Sequence, residues 1–392
     1  MKSATAFTYE LDDTSAAVRE LVSQIREKLT LCKHTAAILH AQPDIALSEI
    51  TGALSRELGC DVVGGTTAGA AVFTVEGYHE FGLVLHVLTA DDCLFSAAVS
   101  EPLSDEPDKK ISAVYGEALA ALKAQDASAE PKFIYYVAPP VEGYPTSRGL
   151  GSLSDACGGA PVFGYIAGDD FEFCKYETFL NGETARDRAV VLLIAGNVKP
   201  VFQVENLSGR RALDKSRVTK SKDNVIYEID GKPAYEYITS LPFIDINNVF
   251  VWHYQFFIDS VNADGSVVSV CRSLQGCNAE TGELITFDSV PEGSMVSFLY
   301  CDDKDVRASC EFALNDLKTK LGASGGEYST VLVSSCGLRH MLLVDDKELE
   351  ANCTRELLPK GVAVSGVYSF GEIAPGGGVN STHNATYTMV AL

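Results

Sequence analysis

The chain has 392 residues, 46% hydrophobic and 21% charged, an ordinary balance for globular domains and long for a single core. A formal net charge of −22 excludes a nucleic-acid partner, since phosphate binding needs a basic face, and argues against adhesion to anionic membranes. Eleven cysteines with no C-x-x-C pair and no Cys/His cluster at zinc spacing argue against a structural metal and read mostly as small buried residues in a reducing compartment.

MKSATAFTYELDD has no apolar h-region, and the longest apolar runs, such as 189–196, are too short to span a bilayer; the expected location is the cytoplasm, without membrane insertion. A short strand at 2–9 precedes a helix to about residue 31, capped by Asp13 or Thr14, with Val18, Leu21, Val22, Ile25 and Leu29 on one face. A strand at 35–39, a helix at 45–58 and a buried strand at 61–63 lead into the turn Gly64-Gly65-Thr66-Thr67-Ala68-Gly69. Strands follow at 81–88 and 93–99. The order then repeats: helix 108–124, strand 133–137, helix 147–156, a second turn after 162–163, and strands at 177–180, 189–194 and 201–204. Setting VVGGTTAG against PVFGYIAG aligns Gly65 with Gly164, 99 residues on, and suggests a tandem duplication.

The polar, basic stretch 210–224 lacks a hydrophobic period and reads as a linker or exposed crossover. Beyond it, a short helix (234–239) precedes an antiparallel meander at 249–258, 266–270, 284–287 and 295–300, with Asn262–Gly265 as one hairpin turn. Helix 305–321, strand 330–333, helix 345–357 and two final strands repeat the α-β-α-β-turn order a third time, as a divergent relative of the first two units. The expected class is α/β (α+β), with layered mixed sheets, flanking helices and tandem α/β repeat units.

Five segments in order carry a resemblance spanning essentially the whole chain: VVGGTTAG (62–69), VFGYIAGDD followed by FLNGE, VTKSKDNVIYEIDGKPAYEYI (218–238), SSCGLRH (334–340), and SGVYSFGEIAP followed by HNATYTMVAL. Together they resemble the FIST family of signal-transduction sensory proteins. The resemblance implies a FIST-N domain over 1–222, as two units at about 10–105 and 106–208, and a FIST-C domain over 223–392. It also implies a small-metabolite ligand, an amino acid or related zwitterion, and a signalling partner protein reached in trans, since no effector segment is recognisable. Where the family carries an acidic residue after its first Ala-Gly pair, this chain has Ala70 and Ala71.

The candidate ligand-binding residues fall in these turns. Thr66 and Thr67 offer hydroxyls beside free backbone N–H groups for a small anion, and Asp169 and Asp170 follow the second glycine turn. Cys336 sits where a helix N-terminus would favour thiolate, and Arg339, matching a family arginine, is expected to fork a carboxylate while Glu372 or Asp169 meets an ammonium group. Tyr368, Ser369 and Glu372 line a glycine-kinked turn, and His383 and Asn384 match the family's His-Asn. No catalytic or metal residue is assigned and no cofactor is expected. Two alternatives stand: an enzyme using Cys336 or Glu372, and a heme-binding nitric-oxide sensor whose axial ligand would be one of seven histidines (His34, His40, His79, His86, His253, His340, His383).

Overall fold

The computed structural model describes residues 1–207, 210–211, 215–241, 244, 253–261 and 267–392; the predicted turn Asn262–Gly265 and the start of the 249–258 strand lie outside the described residues. The first unit runs β1 (Lys2–Thr8), α1 (Thr14–Lys28), β2 (His34–Ala41), α2 (Leu47–Leu58), β3 (Asp61–Thr66), β4 (Ala71–Thr74), β5 (Gly77–Glu80) and β6 (Leu83–Ala90). The second runs β7 (Cys93–Val99), α3 (Pro107–Gln125), β8 (Pro131–Ala138), α4 (Thr146–Ala156), β9 (Val162–Ile166), β10 (Thr178–Leu180), β11 (Glu183–Ala185) and β12 (Val190–Gly196).

The third opens with β13 (Val201–Asn206) and is then interrupted by β14 (Arg210–Arg211), β15 (Ser216–Lys222), β16 (Val225–Ile229), β17 (Lys232–Pro233), α5 (Ala234–Thr239), β18 (Tyr254–Val261), β19 (Val267–Asn278), β20 (Glu283–Thr286) and β21 (Met295–Tyr300). It resumes with α6 (Asp303–Ser324), β22 (Thr330–Cys336), α7 (Gly337–Leu342), α8 (Leu349–Leu357), β23 (Ala363–Ser369), β24 (Gly371–Gly376), β25 (Val379–His383) and β26 (Thr386–Ala391).

Three six-stranded sheets share one plan. Their orders are β1-β6-β2-β3-β10-β11, β7-β12-β8-β9-β24-β25 and β13-β26-β22-β23-β4-β5. In each, a parallel pair (β2/β3, β8/β9, β22/β23) is flanked by antiparallel strands, and the edge hairpin comes from another unit. The hairpins are exchanged in a ring: the second unit supplies the first sheet, the third supplies the second, and the first supplies the third. This pseudo-three-fold arrangement turns one face of every sheet inward on a shared core that includes Val63, Leu88, Tyr135, Tyr165, Leu332, Val367 and Val390. The outer faces are covered by helices, as with α1 and α2 on the first sheet.

Local chemistry accounts for the elements. Asp13 caps α1 by accepting from the Ala16 N–H at 3.0 Å, and Asp302 and Asp305 form a reciprocal capping box that starts α6. Each parallel pair carries one glycine over which an exchanged hairpin lays an apolar side chain: Phe179 opposite Gly64, Ile373 opposite Gly164 and Phe73 opposite Gly366. A Cβ at Gly366 would sit 2.1 Å from the Phe73 ring, and one at Gly164 would sit 1.8 Å from the Tyr136 carbonyl oxygen. The register therefore makes Gly64, not Gly65, the counterpart of Gly164, one residue off the alignment read from sequence.

Two other expectations are corrected. Residues 216–222 are not a linker but strand β15, with Ser216 and Val218 buried and Arg217 and Lys220 outward, so its single valine hides the alternation. Val201–Asn206 pairs with β26 in the third sheet. The insertion between β13 and α6 closes on itself through β21, β15, β16, β20, β19 and β18, an antiparallel ring around Phe256, Ile258, Leu284, Val296 and Phe298. Among the described residues no helix is long and apolar enough to cross a membrane.

Candidate functional site

Hairpin exchange forces the three glycine turns together at the carboxyl ends of the parallel strands, where ligands of α/β sheets usually bind. The Gly69 N–H donates to the Asp169 carbonyl (3.1 Å), Gly168 N–H to Thr66 (3.0 Å) and Phe370 N–H to Ile166 (3.1 Å). A Cβ on Gly168 or Gly337 would lie within 3.0 Å of Ala68.

The expected site residues divide into groups here. Cys336, Ser369 and Glu372 form one buried cluster. Ser369 Oγ donates to Glu372 Oε1 at 3.0 Å, the Thr386 N–H reaches Oε2 at 3.2 Å, and the Cys336 thiol adds a further hydrogen bond. Burial pushes the Glu372 carboxyl well above the usual carboxylate range, and burial together with Glu372 pushes the Cys336 thiol well up. The favourable effect of the short helix that follows Cys336 is outweighed, so this thiol is not the thiolate that the sequence suggested.

Arg339 is committed elsewhere. Fully buried, it donates from Nε to Glu350 Oε1 (2.8 Å), from one terminal nitrogen to Ser309 Oγ (2.9 Å) and from the other to the Val306 carbonyl (3.3 Å), with its guanidinium 5.3 Å from the Tyr387 ring. The expectation that it forks a ligand carboxylate is corrected: an internal carboxylate, eleven residues on, holds it. His340 lies tilted against Tyr368 with ring centroids 4.7 Å apart, stacks on Tyr78 and meets its hydroxyl at 2.8 Å. His383 Nε2 pairs with the Ala374 carbonyl at 3.2 Å, while its Nδ1, the Asn384 Oδ1 and the Thr67 Oγ1 are buried without a protein partner. Thr66 Oγ1 accepts from the Glu177 N–H at 2.9 Å.

Asp169 organises a loop. Its carboxylate accepts from the backbone N–H groups of Phe173 (3.0 Å), Cys174 (2.8 Å) and Lys175 (2.8 Å), whereas Asp170 points outward. Inside that loop Phe171 and Phe173 hold left-handed φ values of 62° and 58°, rare for bulky residues and a form of strain found at ligand sites. Phe173 stacks on Phe370 with centroids 4.7 Å apart and lies 5.9 Å from Phe287.

These rings wall a cavity of about 390 Å³ whose other surfaces include Tyr144, Tyr176, Asn224 and Gln275, within the size range of small-molecule sites. Its two sides are fastened together. Asp288 accepts from the N–H of Ser147 in the first turn of α4 (3.3 Å), and buried Arg272 donates to the Ser289 (3.2 Å) and Thr382 (2.9 Å) carbonyls. A larger hollow of about 640 Å³ between α1 and α2 is a surface groove bridged by the exposed pair Arg26–Glu57, remote from the converging turns.

None of the eleven expected residues lines the cavity. Asp169 shapes its loop, and Ser369 and Glu372 flank Phe370 behind its wall. The available sequence signal was the aromatic content of the segments that follow β8 and β9, Val141-Glu142-Gly143-Tyr144 and Phe171-Glu172-Phe173. Asp169→Ala is expected to release three N–H groups, destabilise the fold by about 1–3 kcal/mol and raise hydrogen exchange over 171–177; unchanged exchange there would remove Asp169 from this role.

Comparison with known proteins places these turns in context. The FIST N domain is matched over residues 35–232 and the FIST C domain over 251–375. An uncharacterized protein of Methanocaldococcus jannaschii, MJ1623, is 38% identical over 77 residues, which cover 19% of this chain and 15% of that protein. The crystal structure of cyanuric acid hydrolase from A. caulinodans aligns over 100% of this chain and 98% of its own at 11% identity and a TM-score of 0.36, a likeness too remote to carry an argument.

Proposed function

The chain belongs to the FIST family, whose N and C domains are sensory domains of signal transduction, and from that premise we propose that it binds a small metabolite of amino-acid size in the 390 Å³ cavity and signals through a partner protein in trans. The observation that supports this reading most is the cavity's composition. Tyr144, Phe173 and Tyr176 come from the part matched as FIST N, and Gln275, Phe287 and Phe370 from the part matched as FIST C. A ligand bridging both parts has different contacts whenever they shift, which is the differential affinity a sensor requires. Chemistry at Cys336 finds no support in a buried thiol held protonated beside Glu372.

The test is a thermal-shift screen against amino acids, amines, short peptides and hemin. Saturation at about 100 times Kd is expected to add roughly 2.7 kcal/mol of stability. The shift should weaken or vanish in Gln275→Trp, which sets an indole ring at the exposed edge of the cavity. A ligand that shifts this variant as strongly as the parent chain would place recognition elsewhere, and turnover of the ligand would favour an enzyme.

A further inference from the structure

We propose that this cavity selects an organic cation, an amine or quaternary ammonium compound without a carboxylate, rather than a zwitterionic amino acid; this rests on the cavity being the sensory site. Among its described lining residues no lysine, arginine or histidine occurs, and the one charged side chain is Glu142 at the exposed rim. The walls include the rings of Tyr144, Phe173, Tyr176, Phe287 and Phe370, and an aromatic face turned to a cation attracts it through its quadrupole. The polar contributions of Asn224 and Gln275 are amide groups, able to accept from an ammonium N–H.

A carboxylate would find no cationic partner among the described lining residues, the nearby Arg186 acting on Tyr176 from outside that lining. Arg339 is spent on Glu350, and Arg272 on the Ser289 and Thr382 carbonyls. Arg148 lies on Tyr144, 5.5 Å from the ring centroid, and is paired with Asp108 at 2.5 Å. An unpaired carboxylate among aromatic rings is disfavoured. The net charge of −22 adds an overall field that favours cations over anions. Phe173, at 38% exposure, leaves part of its ring available on the cavity side or at its mouth.

Isothermal titration of the full chain tests the assignment with matched probes: phenethylamine, tyramine and choline; phenylalanine and tyrosine; and 4-hydroxyphenylacetate. At least one amine is expected to bind more than tenfold tighter than its amino-acid counterpart, with no binding of the acid. Phe287→Leu keeps apolar bulk but removes a π face, and is expected to weaken the amine about tenfold while Phe287→Tyr retains it. Amino acids or the acid binding as tightly as amines, and losing it in Gln275→Trp, would overturn the cation assignment and leave the cavity as the sensory site. Amine binding that is undiminished in Gln275→Trp, or no binding by any class, would overturn both.

Discussion

Arg339→Met is expected to lower the unfolding free energy by about 3–5 kcal/mol, the largest single effect of any substitution proposed for this chain. The guanidinium and the Glu350 carboxylate are both fully buried, and Glu350 Oε2 also accepts from Ser335 Oγ at 2.7 Å. Deleting the cation leaves the Glu350 carboxyl group buried without its ionic partner. It also takes one hydrogen bond each from Ser309 Oγ and the Val306 carbonyl, which stay bonded to each other at 3.0 Å, and uncovers the face of Tyr387. Glu350 lies in α8, Ser309 and Val306 in α6, and Ser335 in β22, so the loss loosens the helical layer of the third unit. The double variant Arg339→Met/Glu350→Leu removes both charges and is expected to recover most of the stability, because a buried pair contributes less net stability than its separate halves suggest. Urea midpoints of the three proteins decide it. A single variant within 1 kcal/mol of the parent, or a double variant no better than the single, would refute the pair's structural role.

The second large effect is acid lability. Burial holds His40 and His86 at about 3, and His340 and His383 at about 4, against an ordinary value near 6.5. The folded protein keeps these rings neutral while the unfolded chain protonates near pH 6.5. Their contribution is therefore complete above pH 6.5 and is lost as pH falls toward 4 and 3. Each ring loses about 1.4 kcal/mol per pH unit in that window, so four together approach about 5 kcal/mol per unit. Total stability is typically about 5–15 kcal/mol, so the transition is expected between pH 6 and 4.5. Glu372 acts oppositely. Its raised carboxyl stabilises most at low pH and loses that contribution as pH rises above the ordinary carboxylate range, and the raised carboxyls of Glu177 and Glu205 act in the same sense. His86→Phe removes a ring whose two nitrogens lack protein partners and should flatten the acid limb by about 1.4 kcal/mol per unit. Thermal midpoints at pH 7.5, 6.5, 5.5 and 4.5 test this; a flat profile between 6.5 and 5 would contradict it.

Much of the architecture was legible because it is local. The apolar periods of α1 and α2, the Asp13 cap and the alternation of helix, strand and glycine turn are written in short windows. The third repeat was legible in element order alone, since α6, β22, α8 and β23 follow the plan of the first two units. Hairpin exchange was not legible. Phe73 and Gly366 are nearly three hundred residues apart, and nothing in either neighbourhood names the other.

The candidate residues were read in the glycine turns without the partners that the fold brings to them. An arginine after a Ser-Cys turn looks available until Glu350 is placed beside it, and Asp169 looks like a ligand group until three backbone N–H groups converge on it. The aromatic wall is assembled from Tyr144, Phe173, Phe287 and Phe370, whose loops have no shared spacing. Such a set is visible only after the three sheets close.

The most direct test is a crystal structure of the protein with the strongest binder from the screen. The account predicts that ligand density lies between Tyr144, Phe173 and Phe287 at the carboxyl ends of β8 and β9, with its charged nitrogen over an aromatic face. Density in the α1–α2 groove, or inserted between Cys336 and Glu372, would contradict it.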